Sequence, residues 1–152
     1  MRKTQWYLIS WVVMMASAGL SAEEMKSENG YLVNIDERTV SNSNYREVLF
    51  TAPRSQLVVM SLKPGEDIGE EVHDGIDQFI RFEEGEGKVV LNGKEHHVKA
   101  DDAMVIPAGV RHNVINTSDS RDLKLYTIYS PPEHKDGTLH KTKAEAMAEH
   151  HE

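Results

Sequence analysis

The chain has 152 residues, with 17 Lys+Arg against 25 Asp+Glu, a formal net charge of −8, and no cysteine. This length suits one domain with one core. The acidic balance disfavours nucleic acid and anionic membrane as partners, and the missing thiols exclude disulfides, zinc–thiolate sites, cysteine nucleophiles and an acylated lipoprotein anchor.

In chain order, residues 1–22 come first. Arg2 and Lys3 precede an apolar run from Trp6 to Met15, and Ala16, Ser17, Ala18 and Gly19 follow. This reads as a cleaved secretory signal, ending after Ala18 or after Ala22, which places the mature protein in a periplasm or outside the cell. The apolar run is shorter than the ~20 residues of a spanning helix, so an uncleaved anchor is the weaker reading. Without residues 1–22 the balance becomes 15 basic against 25 acidic side chains, a formal −10. Residues 23–44 are polar, with Gly30 and several Ser and Asn, and read as a flexible leader with a short strand at Tyr31–Val33.

From Glu47 the texture is β. Strands are expected at Glu47–Thr51 and Gln56–Leu62 around a Pro53–Ser55 turn, then at Ile68–His73, Asp77–Glu83 and Lys88–Leu91. Asn92-Gly93 is a type I′ hairpin signal that pairs Lys88–Leu91 with Lys94–Lys99. Ala103–Ile106, His112–Asn116 and Leu123–Tyr129 complete the set before Pro131-Pro132. Short strands with regular turn signals indicate an all-β sandwich or barrel over residues 45–132. In the remaining tail, residues 133–152, a loop leads to a helix over Thr142–Glu149 opened by a Thr142/Glu145 capping box.

Strand alternation puts Glu71 and His73 on one face. A hairpin over Asp74–Ile76 then returns Gln78 beside them. His112, after the Pro107-Ala108-Gly109 turn, supplies a fourth donor. Imidazole suits zinc, iron, nickel and manganese, and amide and carboxylate oxygens favour the harder of these. On the next strand Ile80 and Phe82 share the Gln78 face, giving an apolar pocket wall.

These residues resemble the two motifs of the cupin superfamily. Gly65 to Gly85 is similar to Gly-x5-His-x-His-x3–4-Glu-x6-Gly, with Glu71 at the first histidine, His73 at the second and Gln78 at the glutamate. Pro107, Gly109, His112 and Asn116 match Gly-x5-Pro-x-Gly-x2-His-x3-Asn, with Asp101 in place of its first glycine. The 15 residues between Gly85 and Asp101 resemble the short spacers of small single-domain (type-2) cupins. The resemblance covers about Glu47 to Ser130. It implies a double-stranded β-helix, the jelly-roll barrel, with a short C-terminal helix. It also implies a divalent transition metal held by Glu71, His73, Gln78 and His112, with manganese, iron, zinc and nickel all open. The ligand charge stays −1 because the carboxylate has moved rather than vanished, though the site becomes harder and weaker for soft metals.

Plainer readings stand beside these. His73 and His112 could be hydrogen-bonded core histidines, Glu71 a surface acid, and Gln78 an orienter of water or substrate. Asn116 suits a backbone-fixing role. Arg81 falls on the outer face with Phe79 and Glu83, suited to a sheet or dimer contact. Of His96 and His97 at most one faces inward, His134 and His140 could cover the barrel mouth, and His150 and His151 suit an exposed terminus. The resemblance admits isomerase, dioxygenase and lyase chemistry on a small carbonyl, enol or sugar-like molecule. A non-catalytic binding protein for a small molecule or metal complex, and a metal-free structural cupin, are the alternatives. A homodimer through an outer sheet face fits the fold.

Overall fold

The computed structural model describes residues 25–27 and 29–149. The expected signal segment, residues 1–22, and His150 and His151 lie outside the described residues. The strand β1 (Met25–Ser27) pairs with β2 (Gly30–Leu32), and α1 (Ile35–Ser41) follows. Then come β3 (Arg46–Ala52), β4 (Ser55–Leu62), β5 (Asp77–Glu84), β6 (Glu86–Leu91), β7 (Lys94–Lys99), β8 (Ala103–Ile106), β9 (His112–Asn116), β10 (Leu123–Ser130), β11 (Leu139–His140) and α2 (Lys143–Glu149). The larger antiparallel sheet runs β11-β3-β4-β10-β5-β8 and the smaller runs β7-β6-β9. This is the expected jelly-roll architecture, mostly strand with a short C-terminal helix.

Three expectations are corrected. Residues 35–41, read as part of a leader, form a helix, because the Asn34 side chain accepts from the Glu37 N–H and so caps it. Its Arg38 pairs with Glu47, and the buried Lys124 donates to the carbonyl of Asn42 just beyond it at 2.5 Å. The two-residue strand β11 had no sequence signal. And Ile68–His73 is not a continuous strand: it touches β9 through two isolated bridges, Asp67↔Ile115 and Glu71↔His112. Gly69, at φ +105°, breaks the extended run between them.

The barrel interior grades from an apolar floor to a polar mouth, and strand register sets the levels. Phe82, Leu125 and Met60 sit opposite one another across β5, β10 and β4. One level up are Ile80, Thr127 and Val58, and above them Gln78, Tyr129 and Gln56. In the facing sheet the pairs Gly87↔Asn116, Val89↔Val114 and Leu91↔His112 run from the closed end to the mouth, where His112 is the polar member. All the inward residues of β5 are buried, so Ile80 and Phe82 do share the Gln78 face. Arg81 lies on the other face, where it donates to Glu83 and to Asp101 at 2.9 Å each.

The turn chemistry also holds. Asn92 (φ +47°) and Gly93 (φ +82°) close the β6–β7 hairpin with Leu91 opposite Lys94. Asp101 stands where the cupin motif has glycine, and it keeps that backbone shape at φ +73°. Half of the capping box forms: the Thr142 hydroxyl accepts from the Glu145 N–H at 3.3 Å, while the Glu145 carboxylate accepts from the Lys141 N–H, one residue before the expected donor.

Asn116 is a structural clamp at the closed end of the barrel. Buried at 1% exposure, its amide donates to the carbonyls of Leu62, Lys63 and Arg121, and its oxygen accepts from Ser118 N–H. Removing it strands several backbone groups at once, each worth about 1–3 kcal/mol. Asn116→Ala should therefore lower stability by about 2–4 kcal/mol in urea melts while leaving metal content per folded chain unchanged. A loss below about 0.5 kcal/mol would refute the clamp.

Candidate metal centre at the barrel mouth

The convergence of the predicted residues has a different cause from the hairpin expected. The backbone of Glu71 exchanges two hydrogen bonds with His112, N–H to O at 2.8 and 2.9 Å, so these residues face each other within the smaller sheet. The Asp74–Ile76 turn then carries the chain across to β5 in the larger sheet. There Gln78 pairs with Tyr129 and Ile106, not with the Glu71 segment. Glu71 and His112 thus belong to the smaller sheet and Gln78 to the larger one.

Glu71, His73 and His112 each present a donor atom, all within 4.8 Å of one another. Glu71 Oε2 lies 3.4 Å from His73 Nε2 and 3.9 Å from His112 Nε2. His112 Nδ1 is 2.9 Å from the carbonyl of Val110, which places its proton on Nδ1 and leaves the Nε2 lone pair aimed into the site. His73 is oriented similarly, with Nδ1 3.4 Å from Glu133 Oε1. Buried polar atoms are ordinarily paired. Yet His73 Nε2, His112 Nε2 and Gln78 Oε1 are all buried without a hydrogen-bond partner. Gln78 is held by its amide N–H, which donates to the Thr127 hydroxyl at 3.1 Å, so its oxygen is the free end. Two imidazole nitrogens gathered around the Glu71 carboxylate, with Gln78 paired opposite the Tyr129 that packs edge-on against His73, make a donor set that fits a divalent cation.

Sequence reasoning missed four neighbours. Arg46, at the start of β3, is buried and reaches Glu71 at 3.8 Å. Tyr129 is fully buried, its ring set edge-on to His73 at 5.6 Å, and burial pushes its phenol far above the usual value. Tyr45 donates to the carbonyl of Ile68 at 3.2 Å, and burial raises its phenol to about 12. Glu133 follows the Pro131-Pro132 signal and lies against His73. Each sits in a strand or turn whose face the pattern could assign, but no motif singled it out. His140, in contrast, is engaged by Glu149 at 2.6 Å.

Beside the donors lies a cavity of about 330 Å³, walled by Tyr45, Arg46, Glu71, His73 and Glu133 and closed by Ala146 and Met147 of α2. Glu71 raises the His73 pKa by contact, against an opposing pull from burial. The proton therefore binds the folded state more tightly than the unfolded one. In metal-free protein this stabilisation is complete below the ordinary histidine pKa, about 6.5, and is lost as pH rises through the raised value. Melting curves of metal-free protein across that window should fall with pH relative to His73→Gln. A difference that stays flat or rises would contradict the assignment.

The family model for the cupin domain matches residues 58–129. The crystal structure of BH2720 from Bacillus halodurans is 46% identical, covering 77% of this chain and 92% of that one, with a TM-score of 0.75. The uncharacterized protein YrkC of Bacillus subtilis is 47% identical over 124 residues, 78% of this chain and 66% of YrkC, so just under two thirds of that relative is spanned. The uncharacterized protein L612 of Acanthamoeba polyphaga mimivirus is 48% identical over 113 residues, 72% of this chain and 70% of L612. With motif, barrel and mouth cluster all in place, this chain belongs to the cupin superfamily.

Proposed function

We propose that the protein is an exported, metal-dependent cupin in which Glu71, His73, Gln78 and His112 hold a divalent transition metal and a small carbonyl, enol or sugar-like substrate enters the adjoining cavity. The observation that carries this reading is the cluster of Glu71, His73 and His112 donor atoms within 4.8 Å of one another, with both imidazole Nε2 atoms and the Gln78 oxygen buried and without hydrogen bonds. When bound, such a metal polarises an oxygen of the substrate or presents it with an activated small molecule. The chain's own residues orient and insulate: Val110 and Glu133 fix the two imidazoles, and Thr127 fixes the amide. The phenol of Tyr129, kept protonated by burial, is a donor within the same polar layer. Manganese, iron, zinc and nickel all suit this donor set, which is harder than three imidazoles and a carboxylate.

Metal analysis of untagged protein should find a transition metal in most chains. Fewer than about a tenth occupied would sink the reading. Glu71→Ala and His112→Ala should abolish occupancy while melting cooperatively, and retained metal in both would show the ligands to be wrong.

A second reading, a non-catalytic binder of a small molecule or metal complex, is favoured by the sequence spacing, which singles out no acid–base pair apart from the candidate metal donors. Oxygen uptake and isomer formation against sugars, enediols and phenols divide the two. A silent panel with tight calorimetric binding supports the binder.

Export rests on residues 1–22, which carry Arg2, Lys3 and the Trp6–Met15 run. The mature protein should begin at Gly19 or Glu23, as intact mass reports. A chain that keeps Met1 and stays in the membrane fraction would refute cleavage.

A further inference from the structure

Arg46 is a buried cation without an adequate partner. It is 2% exposed, and its nearest carboxylate, Glu71, is 3.8 Å away, well beyond the 2.7–2.9 Å of a charge-assisted hydrogen bond. Its Nε–H is buried with no acceptor, and its Nη2 reaches Glu71 only at 3.8 Å. The Tyr45 ring lies 5.6 Å from the guanidinium carbon. Leaving a buried guanidinium this poorly satisfied is costly unless something else completes it. The register explains why it cannot turn away. Arg46 opens β3 on the inward face, opposite Met60 of β4 and His140 of β11, so its side chain is committed to the cavity wall beside Glu71 and His73.

We propose that Arg46 is the carboxylate-recognition residue of this cavity, so that the natural ligand is a small organic acid whose carboxylate docks on the guanidinium fork next to the metal. This rests on the metal reading, and electrostatics link the two. Glu70, on the cavity rim, is already neutralised by Arg111 at 2.6 Å. With His73 neutral, as a ligand must be, Arg46 faces Glu71 and Glu133, a local charge of −1 that repels an anion. A bound divalent cation turns that to +1 and admits one carboxylate. The planar fork of arginine matches a carboxylate in two parallel hydrogen bonds, which a lysine cannot reproduce. The cavity, at about 330 Å³, holds an acid of a few carbons.

The test titrates acetate, glycolate, pyruvate and malonate, with pyruvamide as the neutral counterpart of pyruvate, into metal-loaded and metal-free full-length protein. Binding is followed by NMR shifts, and metal content and melting are measured on the same samples. At least one carboxylate should bind the loaded wild type, at least about tenfold more tightly than it binds loaded Arg46→Gln, as expected for loss of a hydrogen bond to a charged group. Arg46→Lys should fall between them, pyruvamide should bind no better to wild type than to Arg46→Gln, and metal-free protein should bind none. Silence from all four acids on loaded wild type, equal affinity in the Arg46→Gln variant, or equal binding of pyruvate and pyruvamide would each overturn the proposal. If Arg46→Gln instead loses its metal, Arg46 serves to position Glu71 and the proposal also fails. Should wild type itself take up no metal, it is the metal reading that fails, and the two failures remain distinguishable. Arg46→Met, apolar and similar in size to glutamine, guards against a variant that misfolds because it buries an unpaired amide.

Discussion

The two backbone hydrogen bonds between Glu71 and His112 organise the mouth of this barrel. They are the last rung of a broken ladder that begins at Asp67 and Ile115, and they tie an otherwise irregular segment to the end of β9. Everything in the site depends on that rung. It sets the carboxylate of Glu71 beside the imidazole of His112, and it fixes where the chain must turn to reach β5. Because only one residue separates Glu71 from His73, the second imidazole is delivered to the same space. A slip of one residue would present Glu70 and Val72 instead.

The site and the core share one construction. Along β4, β5 and β10 the inward side chains change from Met60, Phe82 and Leu125 at the floor to Gln56, Gln78 and Tyr129 at the mouth. The apolar end supplies the burial that holds the sheets together. The polar end carries groups that are costly to bury and therefore have to be held by neighbours. Thr127 satisfies one end of Gln78, and Val110 and Glu133 satisfy one nitrogen of each histidine. What is left over on the two histidines lies beside the Glu71 carboxylate.

Much of this was legible in the sequence. Period-two alternation placed Ile80 and Phe82 with Gln78 and sent Arg81 outward, and Asn92-Gly93 announced its hairpin. Asn116 declared itself through spacing from His112. The failures are physical as well. Ile68–His73 has strand composition, yet Gly69 lets the backbone leave the extended region, and pairing across sheets cannot be seen in local pattern. Residues 35–41 are too polar to look like a packed helix, but the Asn34 cap and the Lys124 contact with Asn42 hold them. Arg46 was invisible for a related reason. A single arginine at a strand start reads as a surface charge, and only the register with Met60 shows that it faces inward.

The C-terminal helix shows how demanding this site is to assemble. Ala146 is buried with the core, Met147 lines the cavity, and Lys143 of α2 is paired with Asp67. Arg46 and Met147, at nearly opposite ends of the described chain, share one wall. Local contacts cannot preform such a cavity, since its closure waits for contacts between the most sequence-distant parts of the domain. Occupancy of the mouth is thus a report on the completed fold, and α2 acts as the closing piece rather than an appendage.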